Sequence, residues 1–311
     1  MYSIFIDGRN GTTGLRIAER LALRSDIQLL ALPEEKRKDP AARKEVLNSC
    51  DVALLCLPDA AAMEAVEMIE NPSVRVLDTS TAHRTAPGWV YGFPELSAEQ
   101  RARILESKRI AVPGCHASGF IALVAPLVRA GILPKDALLS CHSITGYSGG
   151  GKKMIAEYEA EGRDIQLDAP RQYGLTQNHK HLREMQALTG LDSAPIFCPI
   201  VSDFYSGMVV TVPLFKNQLA NGASAADIES AYRAAYTGPV VVYGDRSAAG
   251  FLAGNAAANT DRMHIFVQGN DDRILLTAAY DNLGKGASGA AVQLLNLILG
   301  TNETEGLEGI V

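Results

Sequence analysis

Residues 2–21, YSIFIDGRNGTTGLRIAERL, constrain the fold more than any other stretch of the chain. A strand-like run enters a turn carrying Gly8, Gly11 and Gly14, with Thr12 and Thr13 between the last two, and a helix-like run leaves it. The spacing is G-x-x-G-x-x-G, not the commoner G-x-G-x-x-G. Glycines at a strand–helix junction permit a tight turn and let backbone approach a pyrophosphate at the helix N-terminus. A plain strand–helix turn is the competing reading. The alternation then continues. IQLLAL, DVALLCLP and VRVLDTS read as strands, and AAAMEAVEMI between them reads as a helix. Such a series predicts a parallel α/β sheet.

From about residue 138 the pattern changes. LLSCHSI, MVVTVPLF, VVVYG, MHIFVQG and RILLTAAY are rich in β-branched and aromatic residues, and several are separated by short turns. They predict an α+β domain with a mixed or antiparallel sheet. The chain has 311 residues, which fits two domains on a prior of roughly 150 residues each. A hydrophobic share of 47 % is enough for two cores. GAAVQLLNLIL near the C-terminus reads as an apolar helix packed on one of them, and TNETEGLEGIV as a polar, acidic loose end.

The same composition narrows the partners. A net charge of −6 argues against a general nucleic-acid surface. No apolar stretch reaches the length of a membrane span, and MYSIFIDGRNG lacks the basic and apolar regions of a signal peptide. Five cysteines, Cys50, Cys56, Cys115, Cys141 and Cys198, are scattered with no CxxC pair. That usage fits a reducing cytoplasm and argues against a disulfide frame or a structural metal.

Four stretches hold chemistry. In AVPGCHASGF, Pro113-Gly114 breaks the backbone and Cys115 stands at or just before an apolar helix that closes near Gly131. A helix N-terminus favours the thiolate, so Cys115 is a candidate nucleophile; a small buried hydrophobe is the alternative. In ALPEEKRKD, at the end of the second strand, Glu34 is available to a ribose hydroxyl, but Lys36, Arg37 and Lys38 crowd the loop. Cations there accommodate a 2′-phosphate, which points to NADP; a solvated loop is the plainer reading. In NHKHLREM, His179 and His181 are two apart and cannot share a helical face, so a metal pair is improbable and an acid/base partner for a cysteine is more economical. LDTSTAHR ends in Arg84, and SITGYSGGGKKM, which reads as a glycine-rich loop, in Lys152 and Lys153. Both suit a phosphate or carboxylate, or simply a surface.

Taken together, GRNGTTGLRIAERL, VLDTSTAHR, YGFPEL, VPGCHASGFIALVAPL, SITGYSGGGKK, HKHLREM and YDNLGKGASGAAVQLLNLIL resemble the N-acetyl-γ-glutamyl-phosphate reductases, in their shorter form. The resemblance runs in order from residue 8 to about 299. It implies a Rossmann domain of residues 1–114 completed by 287–311, and a catalytic and oligomerisation domain of residues 115–286, as in glyceraldehyde-3-phosphate and aspartate-semialdehyde dehydrogenases. It also implies NADPH-dependent reduction of an acyl phosphate in arginine biosynthesis, through a thioester on Cys115, by a homo-oligomer acting on a small molecule. His181 or His179 would be the general acid, with His181 favoured. Arg84 would hold the phosphate, with help from Lys152 or Lys153. One departure matters. Longer members carry Arg-Gly-Met where this chain has Tyr205-Ser206-Gly207-Met208, so a substrate carboxylate must find another contact. An aspartate-semialdehyde dehydrogenase is the near alternative, although that group has Asn or Ser where Gly114 precedes the cysteine. A non-catalytic dinucleotide sensor is the distant one.

Overall fold

The computed structural model describes residues 1–244 and 250–310; residues 245–249 and Val311, which fall inside the expected domain ranges, lie outside the described residues. The chain divides into two compact units. One comprises Met1–Pro94, Glu99–Pro113 and Ala287–Leu307, and the other Glu95–Ala98, Gly114–Gly286 and Glu308–Val311.

In chain order, the first unit contains β1 (Tyr2–Asp7), α1 (Thr12–Leu21), β2 (Ile27–Leu30), α2 (Pro40–Ser49), β3 (Val52–Leu55), α3 (Asp59–Glu67), β4 (Arg75–Asp78), β5 (Val90–Tyr91), α4 (Ala98–Glu106) and β6 (Arg109–Ala111). The second contains α5 (Cys115–Arg129), β7 (Ser140–Gly146), α6 (Gly151–Glu159), β8 (Arg171–Gln172), α7 (His181–Thr189), β9 (Ile196–Ser202), β10 (Met208–Phe215), α8 (Ala225–Ala235), β11 (Val241–Tyr243), β12 (Met263–Gly269) and β13 (Arg273–Tyr280). Finally, α9 (Gly289–Leu299) returns to the first unit.

The first sheet has the order β2-β1-β3-β4-β6-β5, with every pair parallel. Its strands read as unbroken apolar runs because both faces are covered. Successive side chains alternate sides. Ile4, Ile6, Val52, Leu54 and Leu77 therefore join one core, while Phe5, Ala53, Leu55 and Val76 join another. The first core takes Ile17 and Leu21 from α1 and the run Ala290–Val292 and Leu294–Leu295 from α9; the second takes Leu47 and Ala65 from α2 and α3. In α9 every residue from Gly289 to Ile298 is buried, which is why its sequence carries no charged residue.

The second sheet has the order β11-β12-β13-β10-β7-β9-β8. It is mixed: β11–β12 and β7–β9 are parallel and the remaining pairs antiparallel. Against it lies α5, buried along almost its whole length. Gly119 permits the contact, since a Cβ there would stand 2.7 Å from both Tyr280 Oη and Val210 Cγ2. Pro126 sits inside α5 and cannot donate to Ala122 C=O. The Tyr236 hydroxyl donates to that carbonyl at 2.5 Å, and the Tyr232 hydroxyl to Leu123 C=O at 2.5 Å. The helix thus tolerates its proline because tyrosines supply hydrogen bonds to the carbonyls there.

The acidic C-terminal segment is not the loose end its composition suggests. Glu303 pairs with Arg101 at 2.6 Å and accepts from Gln293 at 2.8 Å. Glu308 C=O accepts from Asp261 N–H at 2.8 Å, and Glu308 N–H donates to the Asp261 carboxylate at 2.7 Å. Specific pairing overrides polar composition here.

Candidate functional site

In the first unit β1 ends at Asp7, and the turn leads into α1 with Gly11 as its N-cap. Gly8 has φ +85°, and a Cβ on it would lie 2.2 Å from Cys56 O, so the backbone demands glycine. Gly14 is similarly confined, its virtual Cβ being 2.6 Å from Gly8 O. Gly11 is different. It is exposed, has an ordinary φ of −74°, and its Cβ would meet nothing nearer than 3.4 Å. The protein itself leaves room for a side chain there, and an approaching ligand would not. No side chain caps the N-terminus of α1, and no acidic residue stands in its first turn. Thr12 Oγ1 is buried and makes no hydrogen bond among the described residues. Uncapped N–H groups, a positive helix end and an orphaned hydroxyl fit the pyrophosphate of a dinucleotide.

Beside the turn is a cavity of about 360 Å3 lined in part by Gly8, Arg9, Asn10, Leu32, Glu34 and Arg37. Of the three cations expected to read a 2′-phosphate, Arg37 lines this cavity and pairs with Glu34 at 3.0 Å. Lys36 and Lys38 are exposed and are not among its walls, whereas Arg9 is. Sequence reading passed over Arg43. Its guanidinium donates to the Asp7 carboxylate at 3.2 and 2.8 Å, with both residues buried. That pair neutralises a carboxylate at the end of β1, where an unpaired negative charge would repel an anionic ligand. Arg84 donates from Nε to Val112 C=O and from Nη2 to Thr79 C=O, each at 3.0 Å, so two of its donors are committed to backbone.

The second unit places Cys115 as the first residue of α5, behind the Gly114 N-cap; no side chain caps this end through Gly114 and no acidic residue stands in the first turn. The helix dipole there favours a thiolate. The Tyr280 hydroxyl donates to Cys115 C=O at 2.5 Å and accepts from Gly119 N–H at 3.0 Å, pinning the first turn to β13. A Cβ on Gly286 would stand 3.1 Å from Cys115 Cβ, so the Asp281-to-Gly286 segment packs directly on the cysteine. Buried groups hold that segment. The Asp281 carboxylate accepts from Ser206 Oγ at 3.0 Å and Leu283 N–H at 2.7 Å, and Lys285 Nζ donates to Glu95 at 2.8 and 2.9 Å.

His179 and His181, two apart, cannot share a helical face. Instead their rings meet at 4.7 Å and 78°, because the His181 N–H donates to His179 Nδ1 at 3.2 Å and folds the first ring back at the start of α7. One helical turn on, Glu184 lies with Oε1 3.8 Å from His181 Nε2, while its Oε2 accepts from Gly114 N–H at 3.1 Å. A buried carboxylate therefore links the histidine segment to the residue before Cys115. Both rings also approach His116, with centroids 6.0 Å away for His179 and 5.5 Å for His181. His116 is buried between Ser143 Oγ, 2.6 Å from Nδ1, and Tyr173 Oη, 2.7 Å from Nε2. Burial, with a smaller push from His179, lowers its pKa to about 3, so it is neutral. Lys152 and Lys153 are exposed in the first turn of α6, which replaces the expected loop. At the position of the absent arginine stands buried Ser206.

Residues 115–282 match the sequence model of the semialdehyde dehydrogenase dimerisation domain, and residues 32–104 that of the semialdehyde dehydrogenase NAD-binding domain. An N-acetyl-γ-glutamyl-phosphate reductase 2 of Pseudomonas putida is 46 % identical over 309 residues, covering 97 % of this chain and 98 % of that one. The N-acetyl-γ-glutamyl-phosphate reductase of Chelativorans sp. is 47 % identical over 304 residues, covering 95 % and 97 %. This chain belongs to the N-acetyl-γ-glutamyl-phosphate reductase family. It is an oxidoreductase with a nicotinamide-dinucleotide domain and a dimerisation domain. Among solved structures, aspartate semialdehyde dehydrogenase II of Vibrio cholerae, complexed with ASA, has a TM-score of 0.70 at 17 % identity, covering 96 % of this chain and 98 % of that one. The aspartate semialdehyde dehydrogenase of Francisella tularensis has a TM-score of 0.72 at 13 % identity, covering 96 % and 100 %. These share the fold. Among the described residues no helix is long and apolar enough to cross a membrane.

His116, Tyr173 and Ser143 escaped sequence reading. His116 carries one weak signal, its place directly after the candidate nucleophile. Tyr173 and Ser143 are brought in by the β8–β9–β7 pairing, which no local pattern encodes. Glu184 was legible as the i+3 neighbour of His181 once a helix was known to begin there.

Proposed function

We propose that this reductase converts N-acetyl-γ-glutamyl phosphate to N-acetyl-glutamate 5-semialdehyde with NADPH, through a thioester on Cys115. One observation carries the reading: Cys115 opens a dipole-aligned helix in the unit where His179, His181 and Glu184 converge on the neighbouring Gly114 and His116. The thiolate attacks the acyl carbon, the carbon–oxygen bond to phosphate breaks, and phosphate departs. A nicotinamide held by the glycine turn would supply the hydride that the thioester carbon needs. A protonated imidazole, assigned to His181, donates to the oxygen developing on that carbon. The carbon–sulfur bond then breaks, releasing aldehyde and restoring the thiolate. Backbone N–H groups in the first turn of α5 are suited to the developing oxyanion.

The relatives' names support the substrate. The cradle of Gly8, Gly11, Thr12, Thr13 and Gly14 would hold the pyrophosphate, and Arg9 and Arg37 are the cations lining the adjoining cavity for a 2′-phosphate. Arg84 remains the proposed phosphate anchor, with the exposed Lys152 and Lys153 as assistants. The dimerisation-domain match supports a homo-oligomer, and the biosynthetic role a cytoplasmic enzyme. The test runs the reaction backwards: phosphate- or arsenate-dependent reduction of NADP+ by N-acetyl-glutamate semialdehyde. Turnover with that aldehyde, and little with aspartate semialdehyde, is expected. The reverse preference overturns the substrate, and a preference for NAD+ overturns the cofactor.

A further inference from the structure

Asp281, Asn282 and Lys285 are buried in the second unit, and the mechanism above uses none of them. They belong to the stretch Asp281-Asn282-Leu283-Gly284-Lys285-Gly286, which follows β13 and opens a π-helical turn, Gly284–Ser288. Side chains fix the start of the stretch. The Asp281 carboxylate accepts from Ser206 Oγ at 3.0 Å, Asn259 N–H at 2.6 Å and Leu283 N–H at 2.7 Å. The Asn282 amide accepts from Gly207 N–H at 2.9 Å and donates to Ser148 Oγ at 3.0 Å.

The end of the stretch lies on Cys115. Gly286 N–H donates to Asp281 C=O at 3.0 Å, and a Cβ on Gly286 would stand 3.1 Å from Cys115 Cβ and 3.5 Å from its Cα. Gly284 is also confined, its virtual Cβ being 2.2 Å from Thr260 O. Lys285 is the one side chain between these two glycines. Glycine backbone is the freest to move, so the place of the turn depends on what holds Lys285. Its Nζ donates to both Glu95 oxygens, at 2.8 and 2.9 Å, with the two side chains only 3 % and 9 % exposed. An ion pair so far from water adds little net stability over an apolar pair of similar size, because desolvation offsets the attraction. Two charge-assisted hydrogen bonds do fix a geometry.

We propose that the Lys285–Glu95 pair is a clamp that holds Gly286 against Cys115 and so sets the position from which the thiolate attacks. Lys285 and Glu95 are positioning residues, and neither meets the substrate. The clamp acts on the Cβ of Cys115, while the Tyr280 hydroxyl holds its carbonyl. The proposal rests on Cys115 being the nucleophile. Reacting atoms displaced by about 1 Å can cost roughly 10²-fold in rate, so a clamp at this point bears on kcat more than on substrate affinity.

The test removes both charges at once, in Lys285→Met/Glu95→Leu, so that no buried charge is left unpaired. The full-length protein is alkylated with iodoacetamide across pH and followed by peptide mass. The high-pH plateau reads access to the Cys115 thiolate, and the midpoint reads its ionisation. In the double variant the plateau should rise severalfold as the wall loosens, with the midpoint unmoved and Cys198, the internal control on β9, unchanged. In the reverse assay kcat should fall by about tenfold or more, with KM for the aldehyde little changed. Gly286→Ala should lower kcat as well, but it should lower the plateau, because its methyl group crowds Cys115 Cβ. That smaller variant decides the matter alone if the double variant does not fold. A wild-type plateau and kcat in either folded variant overturn the clamp. So does a shifted midpoint at an unchanged plateau, which would make Lys285 an electrostatic partner of the thiolate. If the wild-type protein does not turn over the aldehyde, the proposed function fails, and the alkylation plateaus still decide the clamp.

Discussion

Cys115 is the proposed nucleophile, and that role makes a clean prediction. Changing Cys115→Ser removes the proposed nucleophilic sulfur and leaves the sequence of the glycine turn intact. Turnover is expected to vanish while NADPH affinity, read by fluorescence titration, stays within a few-fold. A serine variant with a substantial fraction of wild-type kcat would refute the covalent route. His181→Asn is expected to lower kcat by roughly 10²–10⁴, the range for losing a general acid. The proposed role falls to His181 because Glu184 Oε1 stands 3.8 Å from its Nε2, whereas His179 Nδ1 accepts a backbone N–H. Steady-state kinetics on His179→Asn serve as the control, and a larger kcat loss there than in His181→Asn reverses the assignment.

At the scale of the element, two helix ends show how local geometry separates structural from ligand-driven constraints. The space around Gly11 accepts a methyl group, so Gly11→Ala should leave the thermal midpoint almost unchanged and weaken NADPH binding by at least tenfold. Parallel melting and titration curves check this; unaltered affinity would place the pyrophosphate elsewhere. In α5 the constraint is purely structural. Tyr236→Phe deletes the donor to Ala122 C=O that the proline cannot replace, leaving a buried carbonyl unsatisfied. A loss of about 1–3 kcal/mol in urea unfolding is expected, while the NADPH affinity is unaffected. No loss would mean that the carbonyl finds another donor.

For the whole molecule, pH dependence of stability is set in part by buried neutral histidines. His116 protonates near 6.5 when exposed but only at about 3 in the folded state, and His264 is also lowered by burial. Below pH 6.5 the unfolded chain therefore binds more protons than the native one, and stability falls as pH falls. The slope approaches about 1.4 kcal/mol per pH unit for His116, and half-buried His264 adds in the same direction. The lowered carboxylates, Asp26, Asp51, Asp203 and Asp227, act in the same direction only below their ordinary value of 3.8. Between pH 6.5 and about 4 the histidines thus dominate these shifts. Chemical denaturation across that window should show the decline, and His116→Gln should flatten it. An equal slope in the variant would assign the effect to other groups.

What the sequence determined by itself was whatever depends on neighbours in the chain. Gly8 and the start of α1, the unbroken apolar strands, the break before Cys115 and the i,i+3 spacing of His181 and Glu184 are all local patterns, set by backbone sterics and side-chain periodicity. Tertiary structure alone decided which distant groups share a site. Parallel pairing of β7 with β9, and antiparallel pairing of β8 with β9, bring Ser143 and Tyr173 to His116, although they stand 27 and 57 residues away along the chain. The same holds for Arg43 on Asp7, the Tyr236 hydroxyl on Ala122 C=O, and the cavity lined in part by Arg9 and Arg37. Such contacts leave no periodic trace, because burial and hydrogen-bond satisfaction are settled by the packed neighbours rather than by the residues on either side.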